Sequence, residues 1–390
     1  MREPLSEGYK DTMTLETMPE VATNLAALRR KRGLSAITLA AAAGVSRQTI
    51  YAMEAGTFIP NTAVALRLAR ALDASVEELF TLAEPETAAS LRTEQAAMLP
   101  GSGPAHAGQA VQLCRMDRRL MASPPPPVPW YLPTADAVLA GRTGRGGKAR
   151  VQIFEADADF TNRFLVAGCD PGISVLARHA QPAGIDLVLA HRNSSQALAL
   201  LKEGAVHIAG SHLKDEASGE CNLPQIGRLF PRNSVAVIAF AIWEEGILTA
   251  AGNPKSIREI ADLARPEVAI VNREPGAGSR VLLDSHLHRL GVSSGKVRGY
   301  ERLAPGHLPA AWQVQSGAVD ACLATRAAAR LLGLHFIPLV TERYDLVIRR
   351  QHLDLPRMQN LLDTLARSGF RRELEGFGGY DTRVAGQRVL

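Results

Sequence analysis

The chain has 390 residues, of which 46% are hydrophobic and 5% aromatic, with a formal charge of +5. That length favours two or three domains. So few aromatic rings exclude a single-strand nucleic-acid binder built on stacking platforms, while the mild basicity permits contact with duplex nucleic acid without requiring it.

The cysteines Cys114, Cys169, Cys221 and Cys322 form no C-x-x-C pair, so neither a disulfide framework nor a metal centre is expected. The start, MREPLSEGYK, has no apolar segment or cleavage pattern. The run VAVIAFAIW at 235–243 is too short to cross a bilayer. These features predict a soluble cytoplasmic protein without membrane contact.

In chain order, residues 1–19 are polar and expected to be frayed. Residues 20–82 carry five helical segments, VATNLAALRRKR, SAITLAAAAG, SRQTIYAMEAG, NTAVALRLARALD and SVEELFTLA. Ser or Asn stands at or near the start of four, as N-caps do, and Gly33, Gly44 and Gly56 mark breaks. An all-α five-helix domain is expected there. Residues 83–150, rich in Ala, Pro and Gly, predict a linker with a small hairpin at 108–122, a stiff proline stretch at 123–133 and a basic loop at 141–150. From 151 to 390 the strand-like runs FLVAGCD, IDLVLAHR, AVHIAG, VAVIAFAIW, VAIVN, VDACLA and HFIPLV alternate with helical patterns. Such alternation predicts an α/β domain with a largely parallel sheet, whose ligands lie beyond the carboxyl ends of the strands.

Within the helical region, GLSAITLAAAAGVSRQTIYAMEAGTFIP reads as two helices joined at a tight corner through Gly44. Ile50 would face the core and Ser46 would cap, leaving Arg47, Gln48, Thr49 and Tyr51 on the front of the second helix. Arg matches guanine and Gln matches adenine in the major groove. Arg29, Arg30, Lys31 and Arg32 suit phosphates, which set affinity rather than sequence. Together with LARALD and SVEELF, these motifs resemble the Cro/C1-type (XRE family) helix-turn-helix over residues 20–82. The resemblance implies binding to a double-stranded DNA operator as a homodimer, with half-sites about one helical turn (~34 Å) apart.

In the C-terminal region, VNREPGAGSRVLLD (271–284) is an apolar run, a glycine bend and a helix start. It lacks the Lys of a phosphate-binding P-loop and the third glycine of a dinucleotide fingerprint. What remains is a helix N-terminus that favours a compact anion. Gly276, Gly278, Ser279 and Arg280 lie in it, with Arg273 just before. AGCDPGIS offers donors at Cys169 and Asp170, AHRNSSQAL offers Ser194 and Ser195, and PGHLPAAW offers His307. His212 is a further candidate.

Arg273 could instead pair with Glu274 or Asp284, Arg280 could brace the loop, and Cys169 could be a packed thiol. Glu342, Arg343 and Tyr344 read as a hinge. These motifs, with LLKEGAVHIAGSHL, EEGILTAAGNP, AWQVQSGAVDACLA and LHFIPLVTERYDLVI, resemble the periplasmic-binding-protein-like domain of the molybdate-binding class over residues 160–386. The resemblance implies a two-lobed, type II α/β clamshell closing on molybdate or tungstate. No nucleophile with a neighbouring base is evident, so an enzyme is not expected. A scaffold that only dimerises the head, or a pocket for another small metabolite, stays open.

Overall fold

The computed structural model of the chain describes residues 21–82, 92–103, 106–125, 132–141, 147–215 and 218–390. The frayed start expected at 1–19, the first part of the linker, most of the proline stretch and half of the basic loop lie outside the described residues. Two compact units emerge, Met1–Ser90 and Leu91–Leu390.

In the first unit β1 (Val21–Thr23) precedes α1 (Leu25–Lys31), α2 (Ala36–Ala43), α3 (Arg47–Glu54), α4 (Thr62–Leu72) and α5 (Val76–Leu79), and β2 (Phe80–Leu82) follows. Ser35, Ser46, Asn61 and Ser75 each accept a backbone N–H of the first turn of α2 to α5, a cap worth about 1 kcal/mol. Gly44, at φ 68°, ends α2 in the left-handed conformation. Leu25, Leu39, Ile50, Met53, Leu68, Leu72 and Leu79 fill the core. The described residues of this unit begin and end in strands, β1 and β2, where helical turns were expected. The Asn24 N–H donates to the Leu79 carbonyl at 2.9 Å, which brings β1 and β2 into antiparallel register.

The second unit opens with a fold where a linker was expected. β3 (Thr93–Met98), β4 (Ala110–Met116), β5 (Arg119–Ser123), β6 (Ala137–Leu139) and β7 (Lys148–Ile153) close a barrel in the order β3-β5-β4-β6-β7. The hairpin expected at 108–122 is β4–β5. Alternation explains how it holds two cores at once. Val111, Leu113, Leu120 and Ala122 point into the barrel, while Cys114, Met116 and Met121 point outward against Leu165, Val188 and Leu198 of the following domain.

That domain contains one mixed sheet. β8 (Arg163–Gly168), α6 (Ile173–Ala180), β9 (Asp186–His191), α7 (Ser194–Glu203), β10 (Ile208–Ser211) and α8 (Leu223–Leu229) build a first lobe. β11 (Val235–Thr249) leads into a second lobe of β12 (Ile270–Arg273), α9 (Gly278–Arg289), β13 (Leu303–Ala304), α10 (His307–Gln315), β14 (Ala321–Thr325) and α11 (Arg326–Leu331). β15 (His335–Arg349) returns to the first lobe, which α12 (Arg350–Leu353), α13 (Pro356–Ala366), α14 (Ser368–Gly376) and β16 (Tyr380–Asp381) complete. One of the helical patterns of this region, SIREIADLA at 256–264, forms only a short 3-10 turn, Ile260–Ala264.

The strand order is β13-β12-β14-β11-β15-β10-β8-β9, with β16 on β11. Pairing is parallel inside each lobe, but β11 and β15 run antiparallel for 15 residues each and cross between lobes. The largely parallel sheet expected is therefore parallel only in its two wings. β11 is buried on both faces through its first seven residues, which is why VAVIAFAIW reads as an unbroken apolar run. The last residues lie along that strand: Val237 and Ala239 donate to Leu390 and Gln387, and accept from Val389 and Gly386, at 2.7–3.1 Å.

No helix among the described residues is long and apolar enough to cross a membrane.

Candidate functional site

The first unit presents one polar face built on α3. Ile50 and Met53 anchor the helix, so the opposite side carries Ser46, Arg47, Gln48 and Tyr51 exposed and Thr49 half-buried. The Arg47 guanidinium lies over the Tyr51 ring, 5.3 Å from its centroid, and donates to its hydroxyl at 3.1 Å. Ser46 accepts from the Thr49 N–H at 3.1 Å. Arg30 and Lys31 are exposed at the end of α1. Their expected companions are committed elsewhere: Arg29 donates to Glu54 at 2.5 and 3.0 Å, and Arg32 donates to the Asp73 carbonyl at 2.9 Å.

In the second unit the carboxyl ends of β8, β9, β10 and β12 meet the middles of β11 and β15. Trp243 sits opposite Glu342 and Ala241 opposite Tyr344, and alternation places Glu245 on the same face as Trp243. Onto this face come Cys169 and Asp170 after β8, His212 after β10, Arg273 at the end of β12, Ser279 in the first turn of α9 and His307 at the start of α10. All are buried.

The lobes touch across this face. Asn193 donates to Glu274 at 3.3 Å and to the Pro275 carbonyl at 3.2 Å. A Cβ on Gly276 would reach Ser195, one on Gly306 would reach His191, and one on Gly278 would collide with the His212 ring. Close approach is why glycine stands at these bends.

His212 is the centre of the cluster. It packs edge-on to Trp243 at 4.8 Å and near-parallel to Tyr344 at 5.9 Å. Its Nδ1 is 2.9 Å from Glu342 Oε2 and 3.9 Å from Glu245 Oε2. Ligand atoms of Cys169, His212 and His307 lie within 4.8 Å of one another, as do those of His212, Glu245 and Glu342.

Burial alone would strip His212 of its proton, but Cys169 and Glu342 beside it raise its pKa well above the ordinary value. His307 goes the other way: burial, then the Arg273 cation and His212, hold it neutral. Burial and then the Glu342 carboxylate push Glu245 above the usual carboxylate range.

Several expected donors turn out to be occupied by the fold itself. The N–H groups of Cys169 and Asp170 donate to the Tyr344 hydroxyl at 3.2 and 3.4 Å, so the first loop does not offer them to a ligand. Asp170 accepts from Tyr380 at 2.6 Å and from the Gly172 N–H at 2.7 Å. Ser194 accepts the His212 N–H at 3.2 Å, and the Ser279 hydroxyl donates to Glu245. Arg280 braces the Arg273 carbonyl and lies over Tyr300, 4.7 Å from its centroid, so it stands outside the cluster. Arg273 does pair with Glu274, at 3.0 and 3.1 Å, yet its Nη1 has no partner.

Sequence reading missed Trp243, Glu245 and His191 and took Glu342 and Tyr344 as hinge residues only. Both lie midway along β15, where it crosses between the lobes. The signal that could have found Glu245 is a pair of acids, Glu244 and Glu245, inside an otherwise apolar strand.

Among the described residues, nine buried side-chain nitrogens and oxygens lack a hydrogen-bond partner. Seven belong here: Asp170 Oδ2, His212 Nε2, Trp243 Nε1, Glu245 Oε2, Arg273 Nη1 and both nitrogens of His307. Each such atom costs about 1–3 kcal/mol. Their convergence makes this cluster the candidate site.

Comparison with known proteins agrees with this division. Residues 25–79 match the helix-turn-helix domain and residues 176–366 match the PBP superfamily domain. The uncharacterized protein YvgK of Bacillus subtilis is 32% identical over 244 residues, covering 62% of this chain and 79% of YvgK. An uncharacterized HTH-type transcriptional regulator of Methanothermobacter thermautotrophicus is 44% identical over 57 residues, 14% of this chain and 83% of that protein. Among solved structures, the sulfate-binding protein SubI from Mycobacterium tuberculosis aligns at 16% identity over 56% of this chain and 86% of SubI, with a TM-score of 0.42. The chain belongs to the family of YvgK, and joins its PBP-type domain to a helix-turn-helix of the transcriptional-regulator type.

Proposed function

We propose that the protein is a one-component transcription regulator whose helix-turn-helix head binds operator DNA as a homodimer and whose two-lobed domain binds a small effector between its lobes. The observation that carries this reading is the convergence of unpartnered buried polar atoms where the carboxyl ends of the sheet meet the crossing strands. Sheets of this kind bind ligands at that position.

An oxyanion of the molybdate or tungstate type is the effector proposed. Its support is Arg273, fully buried with one Nη free, and the N-termini of α7, α9 and α10, whose dipoles favour negative charge. The hydroxyl of Ser195 and the neutral His307 add hydrogen-bonding groups on opposite sides. Because these groups come from both lobes, the effector binds the closed arrangement better than an open one. Only such a difference can shift an equilibrium and alter DNA affinity. On the DNA side, Arg47, Gln48 and Tyr51 read base edges, Ser46 and Thr49 hold the start of α3, and Arg30 and Lys31 meet phosphates.

The test is thermal unfolding and operator binding of the full chain with molybdate, tungstate or sulfate added. A rise in Tm together with a change in operator affinity is expected for at least one anion. If all three leave both quantities unchanged, the oxyanion is the wrong effector.

A further inference from the structure

The same cluster has a composition that an anion site does not need. Two carboxylates, Glu245 and Glu342, stand inside it, and like charge repels an oxyanion. A thiol and two imidazoles converge beside them. Cys169, His212 and His307 offer Sγ and ring nitrogens within 4.8 Å of one another, all buried. Tetrahedral ligands at bonds of about 2.0–2.3 Å lie roughly 3.3–3.8 Å apart, so small rotations of these side chains suffice.

We propose that Cys169, His212 and His307 bind a divalent late first-row transition metal of the zinc type. Sulfur and imidazole nitrogen select such ions over magnesium or calcium.

The hydrogen-bond arrangement of the two rings fits. His212 Nδ1 is held by Glu342 at 2.9 Å, which leaves Nε2, buried and without a partner, to coordinate. A carboxylate on the far nitrogen of a metal-bound histidine fixes its tautomer and raises its basicity. Both nitrogens of His307 are unpartnered and buried, the state a ligating imidazole needs before the metal arrives. Three protein ligands leave a coordination position open, and Arg273 at the end of β12 is buried with its Nη1 unpartnered. An anion attracted by Arg273 completes the sphere.

The donors also divide between lobes. Cys169 and His212 follow strands of the first lobe, whereas His307 begins a helix of the second. The full set exists only when the lobes are closed, so the ion favours closure. This inference rests on the cleft being the effector site and adds a ligand class to it.

The experiment titrates cobalt(II), as a spectroscopic probe for zinc(II), into the full chain after dialysis against a chelator. One equivalent should bind and produce a thiolate-to-cobalt charge-transfer band in the near ultraviolet, and zinc(II) should displace it. Cys169→Ser should lose the band, His307→Gln should lose tight binding, and Glu342→Gln should weaken binding about 10–100-fold. Cys221→Ser, away from the cluster, should behave as the parent does. Circular dichroism establishes that each variant is folded. No charge-transfer band in the parent chain, or undiminished binding in both Cys169→Ser and His307→Gln, overturns the proposal.

Operator binding separates the two readings. Metal binding without any effect on DNA affinity sinks the regulator and keeps the ion site. A molybdate effect on DNA without metal binding does the reverse.

Discussion

Tyr344 and Asp170 act as internal occupants of the first strand-to-helix loop. The Tyr344 hydroxyl takes the amides of Cys169 and Asp170, and a Cβ on Gly210 would collide with it, so the ring fits only because that position has no side chain. Asp170 is fully buried, and desolvation lifts its pKa from 3.8 to about 6 against the hydrogen bonds from Tyr380 and Gly172. Between those values the unfolded chain has released a proton that the folded chain keeps. Stability therefore falls as pH rises through this window, by at most about 3 kcal/mol from this group. Asp170→Asn keeps an acceptor for both donors and removes the titration. Its Tm should depend less on pH between 4 and 6 than that of the parent, measured by calorimetry in low-salt buffers. An identical slope would assign the pH dependence to other groups.

At the scale of the element, α3 is a rigid rod whose caps and buried side chains leave its front free for contact. Arg47→Ala or Gln48→Ala should cost about 1–3 kcal/mol of operator affinity and relax discrimination at one base pair. Arg30→Ala should instead weaken all sequences alike and reduce the salt slope of binding by about 1. Fluorescence anisotropy against matched and mismatched duplexes over a salt series distinguishes these outcomes. The elements readable from sequence alone were those with strong local signals. Ser46 and Asn61 announce helix starts, and VAVIAFAIW and FLVAGCD announce buried strands.

Three things were not readable. The barrel strands are 3–7 residues long, and their Ala-rich alternation is weak beside the glycines and prolines between them. The crossing strands continue through Glu244, Glu245, Glu342 and Arg343, which look like loop residues until the cluster around them is known. The cluster itself draws on positions 169, 212, 245, 273, 307 and 342, and local spacing carries no trace of that convergence. Hence Cys169, His212, Arg273 and His307 were each expected at the loops as anion donors, while the carboxylates of Glu245 and Glu342 beside them, and the grouping of the thiol with the two imidazoles, were not.

For the molecule as a whole, the crossing strands are also what ties the C-terminus into the fold. β14 pairs β11 only from Glu245 to Thr249, so the first part of β11 would be a bare sheet edge on that side. β16 and residues 386–390 cover it. The tail is thus a protective strip over an aggregation-prone ribbon, since uncovered backbone donors and acceptors on an apolar strand recruit other chains. Truncation after Thr382 should leave the head folded yet convert the protein into concentration-dependent oligomers, visible by light scattering, whereas an affinity tag appended after Leu390 through a flexible spacer should be tolerated.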